Sequence, residues 1–322
     1  MKKLLFLSAA VFLAGAAALA GAQAFPTRPL RVIVPQPPGG GYDSAARIIG
    51  EPLAALLGQP VVVENRPGGG TIIGTDAVAK AEPDGHTLLL GGSANVVFTP
   101  ALQKSLPFNP RTDFVAVGLA VANTYTLVVR NDLPFASLPD VVQHARANPG
   151  KLTYASAGNG TGQHLVAALM WHVAGVNVTH VPYKGAQAAY QDLLPGRVDL
   201  FFDASQTAKA QIDAGRVRAM AVSGPERLPT HPAVPTVRET GAADFDMVNW
   251  IGYFAPAATP APALARLRAD FVRVMAMPDV VARFEKSGLK VLRLSMAETE
   301  ALVAADIEKW GRMIRAAGLH AD

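Results

Sequence analysis

Leu30-Arg31-Val32-Ile33-Val34-Pro35-Gln36-Pro37-Pro38-Gly39-Gly40-Gly41-Tyr42-Asp43 is the stretch whose reading decides the fold. A β-branched apolar run ends in prolines and glycines, and a helical pattern starts at once. Ala46, Ile49, Leu53, Leu56 and Leu57 share one face of a helix over Asp43–Leu57. The same construction recurs far along the chain. There Leu152–Ser156 runs into Ala157-Gly158-Asn159-Gly160-Thr161-Gly162-Gln163-His164 and a second helix, Thr161–Ala174.

Around these two units, short apolar runs alternate with helical patterns. Strands are predicted at Leu30–Val34, Val61–Glu64, Thr87–Gly91, Tyr125–Val129, Leu152–Ser156, Val178–Val181, Val198–Phe202, Val217–Val222, Trp250–Ala255 and Val291–Leu294. Helices are predicted between them, at Thr71–Ala81, Leu138–Ala147, Ala186–Leu194, Ala204–Ala214, Pro262–Met275, Asp279–Ser287 and Ala297–Ala317. The class is α/β, with mostly parallel sheets flanked by helices. About ten strands exceed one sheet of ordinary size, which predicts two domains. The Pro-rich stretches Leu228–Pro235 and Pro256–Pro262 are short and read as rigid loops, so no flexible linker divides them. The chain must then cross twice, near Ala120–Tyr125 and Phe245–Trp250. That makes the first domain discontinuous, residues 25–122 with 248–322, around a second domain of 123–247.

Glycines between a strand and a helix let the backbone take positive φ and let a ligand come close. The open N–H groups at a helix start, aided by the dipole, favour an anion. A charge-assisted hydrogen bond contributes ~1.5–3 kcal/mol, so two or three amides hold a carboxylate without Arg or Lys. A single glycine loop is as easily only a tight turn. Two matching loops in two domains point to a ligand held at both ends. Phosphate is the rival anion, but G-x-x-x-x-G-K-[ST] is absent and Gly158-Asn159-Gly160-Thr161-Gly162 lacks the last glycine of G-x-G-x-x-G.

The ends and the composition narrow the setting. Lys2 and Lys3 precede an uncharged Leu- and Ala-rich run, Leu4 to Ala20, and small-x-small sites lie at Ala18-Leu19-Ala20 and Ala22-Gln23-Ala24. This predicts a signal peptide over residues 1–24, cut after Ala24, and export to the periplasm. The run is short for a membrane span, and no later stretch is long and apolar enough, so the mature chain is not membrane-embedded. The chain has no cysteine, which removes a lipid anchor, disulfides and thiolate metal sites. Without Lys2 and Lys3, 27 of the 29 basic residues face 25 acidic ones, in no basic block, so nucleic acid is not a partner.

Other candidates carry two readings each. Asp203, after Val198–Phe202, either accepts a hydrogen bond from a ligand hydroxyl or amine, or caps Ala204–Ala214. Asp43 either caps its helix or shapes the loop around a ligand. Asp199 reads as structural, since paired carboxylates would repel an anion. Lys184 on a turn is solvated or attracts an anion. Trp250 and Tyr253 belong to the core or to the cleft, and His164 to the helix start or to the cleft. The seven histidines form no H-E-x-x-H, no G-x-S-x-G elbow occurs, and His172 with His180 lacks a carboxylate ligand pattern. No enzyme, metal or cofactor is expected.

Together Pro35 to Asp43, Val63-Glu64-Asn65-Arg66-Pro67-Gly68, Pro83-Asp84-Gly85-His86-Thr87, Ser156 to His164, His180-Val181-Pro182-Tyr183-Lys184-Gly185, Gly196-Arg197-Val198-Asp199-Leu200, Val234-Pro235-Thr236 and Gly252-Tyr253-Phe254-Ala255-Pro256 carry a resemblance. In order and spacing the chain resembles a Bug-type solute-binding protein of the tripartite tricarboxylate transporter family, over essentially its whole mature length. The resemblance implies a type II periplasmic binding fold, a Venus-flytrap that closes on its ligand by hinge motion. It implies capture of a small carboxylate, a di- or tricarboxylate or an aromatic or amino acid, by a monomer that delivers it to membrane permease subunits. It places the ligand contacts on Pro38, Gly39, Gly40, Gly41 and Asp43 of one domain, and on Ser156, Gly158, Asn159, Gly160 and Thr161, with His164 nearby, of the other. Similar proteins carry Phe or Tyr where this chain has Gln36, which implies a more polar or a larger pocket. The same fold also suits a sensory protein presenting its ligand to a membrane kinase. An exported hydrolase is the third class.

Overall fold

A computed structural model describes residues 25–320. The expected signal peptide and its cut after Ala24 lie outside the described residues.

The strand that opened the reading, β1 (Leu30–Val34), is buried along almost its whole length, as a continuous apolar run requires. It pairs in parallel with β2 (Val61–Asn65) on one side and β3 (Thr87–Gly92) on the other. Crossover helices α1 (Gly41–Leu57) and α2 (Ile72–Ala79) make those parallel pairs possible. The sheet is completed by β4 (Phe114–Asn123), β10 (Asn249–Pro256) and the short β11 (Lys290–Val291), in the order β11-β4-β10-β3-β1-β2. The second sheet has the order β7-β6-β8-β5-β9, from β5 (Tyr125–Arg130), β6 (Thr153–Ser156), β7 (Thr179–Pro182), β8 (Leu200–Ala204) and β9 (Val217–Val222).

Two α/β sheets flanked by helices match the expected class, but each sheet is mixed rather than mostly parallel. In the first, β1 pairs in parallel with β2 and β3, while β10–β3, β10–β4 and β11–β4 are antiparallel. In the second, β6 is parallel to both neighbours and β5 antiparallel to both of its own. The strands next to the passages between the sheets, β4, β5, β9 and β10, all lie in antiparallel pairs. A strand entering a sheet from outside has no crossover helix to turn it around.

The largest correction is β4. Residues 120–123, read as part of a crossing, are the end of a ten-residue strand in the first sheet. Phe114–Asn123 is apolar without alternation because it is buried on both faces, and such a run has no period to read. Gly118 within it lets Phe271 lie against the backbone; a Cβ there would stand 2.4 Å from that ring. Thr124 alone separates β4 from β5. Beside it the return strand begins at Asn249, whose Nδ2 donates to Asn123 Oδ1 at 2.7 Å. The fully buried Ser223 ties the two passages together, accepting from Tyr125 N and donating to Met247 O.

Also unread in the sequence is the segment after β3. Ser93–Phe98 winds as a π-helix and continues into α3 (Thr99–Leu102). Asn95 starts it: its Oδ1 accepts from Gly92 N at 2.8 Å and its Nδ2 donates to Thr75 Oγ1. The remaining helices are α4 (Leu138–Ala147), α5 (Gly162–Val173), α6 (Ala186–Leu193), α7 (Ser205–Asp213), α8 (Ala261–Met275), α9 (Pro278–Lys286) and α10 (Met296–Ala316). Capping boxes at Ser137 with Asp140 and at Ser295 with Glu298 fix the starts of α4 and α10. Each serine contributes ~1 kcal/mol there. Among the described residues no helix is long and apolar enough to cross a membrane, and no His, Asp and Glu group could hold a metal ion.

Candidate functional site

The first glycine loop stands at the carboxyl end of β1, exposed from Pro38 through Gly41. Gly39 takes φ +80°, which turns the chain toward the helix. Its N–H donates to Asp43 Oδ2 at 3.0 Å. Asp43 is buried at the third position of α1, where Arg47 also grips it, with Nη2 2.9 Å from Oδ1. The Arg47 guanidinium holds the Asp43 carboxyl below the usual carboxylate range, assisted by the Gly39 amide. Asp43 therefore shapes the loop, and the helix cap is Gly40, extended at φ −84° with no side-chain partner. Among the hydrogen bonds of the described residues, none has the N–H of Gly40 or Gly41 as donor. They head a helix of 17 residues, and the dipole adds to their pull on an anion.

The second loop is more tightly tied. Gly158 N donates to Ser156 Oγ, Gly160 N to His164 Nδ1, and Thr161 N to Gly158 O. Thr161 caps α5 through the His164 N–H, and its own hydroxyl donates to Gly158 O at 2.7 Å. Behind the loop is a ladder of rings. His164 stacks on His180 at 4.1 Å and His180 on Tyr154 at 4.8 Å, while His180 Nε2 meets Ser156 Oγ at 2.7 Å. Burial pushes both histidines down to about 4, with His164 adding to the effect on His180. Both rings are thus neutral at pH 7, and His164 Nδ1, as an acceptor, puts its proton on Nε2. Asn159 is exposed and its N–H is engaged by none of these bonds. His180 was read only as a non-ligand of metal. Its place in the ladder comes from β7 lying beside β6, which register Tyr154 with His180.

Asp203 is the last residue but one of β8 and is fully buried, one residue too early to cap α7, whose cap position is Ala204. The capping reading fails because Ala204 is still paired with Tyr125 in the sheet. Asp203 Oδ1 accepts from Ala204 N and Oδ2 from Tyr190 Oη. Burial raises its pKa to about 6 against the pull of those bonds and of Thr207 and Gln163. Asp199 accepts from Thr153 N and Oγ1 and lies 3.3 Å from Arg130, a structural role. Trp250 is buried and donates to Asp306, and Tyr253 donates to Ala46 O, so both belong to the core. Lys184 is exposed, and the Gln36 carbonyl accepts from Asn65.

Residues that the sequence did not mark as candidates lie beside glycines of both sheets. Tyr42, in the first turn of α1, is buried with an unpartnered hydroxyl. Tyr125, the first residue of β5, places its hydroxyl where a Cβ on Gly162 would stand. Gln206, at the start of α7, reaches Gly41, with Nε2 3.7 Å from where a Cβ would be. Leu102 approaches Gly160 across the same cleft. Lys290 with Glu226 and Lys309 with Asp246 bridge the sides on the outside. A surface cavity of about 270 Å³ elsewhere, between Arg28, Arg31 and Arg66, is no rival anion site. Its arginines are already paired with Asp84 and Glu64.

With that geometry in view, residues 45–319 match the family described as tripartite tricarboxylate transporter family receptor. The chain is 41% identical over 292 residues to the UPF0065 protein of the tcbD-tcbE intergenic region of a Pseudomonas species, covering 90% of this chain and 87% of that one. It superposes on the periplasmic binding protein BugD with a TM-score of 0.80 at 34% identity, over 92% of this chain and 100% of BugD. MatC from Rhodopseudomonas palustris, solved with bound malate, gives a TM-score of 0.80 at 33% identity, over 90% and 100% of the two chains.

Proposed function

The chain belongs to the tripartite tricarboxylate transporter receptor family, and we propose that this receptor captures a small carboxylate between its two sheets. The observation that carries the reading is the pair of open N–H groups, Gly40 and Gly41, at the head of α1. Two charge-assisted bonds there contribute on the order of 3–6 kcal/mol before the costs of binding. The malate bound to MatC is consistent with an acid ligand.

In this reading the contacts fall on Pro38 to Gly41 of one side and on Asn159 to Thr161 of the other. Asp43, Ser156 and His164 act through the amides they hold, and Asp203 lies behind the cleft. The division into residues 25–122 with 248–322, and 123–247, lets both passages beside Thr124 and Met247 act as the hinge. The mature protein works in the periplasm as a monomer, after removal of residues 1–24, and hands its ligand to the membrane permease subunits.

Thermal shift of the purified protein tests the capture step across dicarboxylates, hydroxy acids, aromatic acids, amino acids and neutral amides. An acid at 100 times its Kd adds ~2.7 kcal/mol of stability. If only neutral compounds raise the melting temperature, the carboxylate reading is wrong.

A further inference from the structure

Where the chain passes between the sheets, a cavity of about 180 Å³ lies against α10. Its apolar wall is Ala122, Val248, Leu292, Leu302 and the rings of Trp250 and Trp310. Three charged side chains, Asp246, Asp306 and Lys309, line it as well. Asp246 is fully engaged, with Lys309 Nζ 3.1 Å from its Oδ1 and Arg238 Nη2 3.1 Å from its Oδ2. Asp306 is less well matched. Its Oδ2 accepts from Trp250 Nε1 at 2.7 Å, but among the described residues no hydrogen bond reaches its Oδ1 and no cation pairs with it. Burial, the largest influence on this carboxyl, raises its pKa, and Lys309 opposes that only from beyond ion-pair distance. The same wall already carries one ammonium, since Lys309 Nζ stands 4.5 Å over the Trp310 ring.

We propose that this cavity binds a small organic cation, with its ammonium on Asp306 and its apolar body against Leu292, Leu302 and Val248. The site stands apart from the glycine loops and does not depend on carboxylate capture. An anion there would meet two carboxylates at close range. A neutral apolar molecule would fill the space but leave the Asp306 charge without a counter-ion. A divalent metal ion needs several oxygen ligands, and no group of three His, Asp or Glu among the described residues could hold one. An alkylammonium suits both halves of the cavity. Its N–H groups make a charge-assisted hydrogen bond to the open carboxylate oxygen, and its carbons are buried on the apolar wall. The space is that of about six waters, so the ligand is a short monoamine. Asp246 precedes the return strand β10 and α10 follows it, so the occupant touches both sides of the passage.

Isothermal titration of the purified protein with n-butylammonium chloride tests this, beside n-butanol and sodium chloride at equal concentration. Butylammonium is expected to bind with a Kd of about 1 mM or tighter, within the reach of so small a ligand. Butanol, with the same body and no charge, binds about tenfold more weakly or worse, and sodium chloride gives no binding heat. Asp306→Asn keeps an acceptor for Trp250 Nε1 and removes the charge, so it weakens butylammonium by about tenfold or more. Leu302→Phe fills the cavity from its apolar side and abolishes binding with Asp306 in place. Urea melts show which variants keep the fold, and either one alone carries the test. Butylammonium that does not bind, butanol that binds as well, or binding that survives in a folded variant overturns the site.

Discussion

In the first glycine loop one amide is held by Asp43 and the next two stay open, whereas in the second Gly158, Gly160 and Thr161 all donate inside the loop. The loops are alike in composition and follow strands in the same way, yet their chemistry diverges. A buried carboxylate at the third helix position shapes the first while leaving its cap amides unsatisfied. Two neutral histidines and a serine shape the second and use the amides to do so. In the proposed reading the first loop grips the anion and the second is the wall against which the cleft closes. Glycine content alone does not distinguish the two. What distinguishes them is which acceptors the neighbouring elements supply.

The hardest blow to this comparison is Gly40→Pro, which deletes one open donor. Gly40 has φ −84°, near the value proline imposes, so the fold accommodates the ring. Losing one charge-assisted bond of ~1.5–3 kcal/mol weakens carboxylate binding by about 10–100-fold, read by titration beside an unchanged urea melt. Wild-type affinity in that variant would remove the first loop from the site.

Next comes acidity, which separates the loops without any mutation. His164 and His180 bind protons near 6.5 when unfolded and only near 4 when folded. The unfolded chain therefore holds more protons between these values, and stability falls as pH drops through that window. Asp203 acts in the opposite sense, since its folded pKa of about 6 lies above its unfolded one and lowering the pH relieves its burial. The two histidines act together against the single carboxyl, so stability is expected to fall between pH 7 and pH 5. Asp43, held below the usual range, adds nothing until the solution is more acidic than its ordinary value. Urea melts at the two pH values check the loss, and His164→Gln should reduce it. A flat profile would mean that the ring ladder is open to water.

How much of this was legible follows from the same local logic. Strand, loop and helix at Leu30–Leu57 were readable because periodicity, proline and glycine all agree over neighbouring residues. The double passage between sheets was readable from strand count, but its position was blurred by β4, whose ten apolar residues have no period. Tyr42, Tyr125, Gln206 and His180 were not readable as neighbours of the glycines and loops they pack on. Each meets its neighbours only through pairing or crossing of distant segments, and an apolar-patterned tyrosine looks like core until its unpartnered hydroxyl is seen. Asp203 was singled out as following a strand, whereas it lies within β8. Its partner Tyr190, on the facing helix, was not.

A smaller effect tests the wall. Gly162 begins α5 directly against Tyr125, and an added Cβ would stand 1.8 Å from the phenol oxygen and 2.7 Å from Cζ. Tyr125 is 4% exposed and cannot swing away without opening its strand end. Gly162→Ala is expected to cost at least about 1 kcal/mol in a urea melt, the usual penalty of overpacking. Pairing it with Tyr125→Phe should recover part of that loss, because the clash is chiefly with the hydroxyl. No recovery would place the strain in the loop backbone instead.

The smallest effect is expected at the matching position of the first loop. Gly41, like Gly162, is the first residue of its helix, and both have ordinary negative φ. Yet the nearest atom to a Cβ on Gly41 is Gln206 Nε2 at 3.7 Å, an ordinary contact. Alanine there keeps the N–H, adds helix propensity and meets only the end of a flexible side chain from the other sheet. Gly41→Ala should therefore shift stability by less than about 0.5 kcal/mol and leave carboxylate affinity within a fewfold of the original. The two alanine variants, compared in one melt and one titration, read the difference between the loops directly. If Gly41→Ala destabilises as much as Gly162→Ala, the first loop is as tightly packed as the second. The open amides of Gly40 and Gly41 would then lose their claim to be the anion grip.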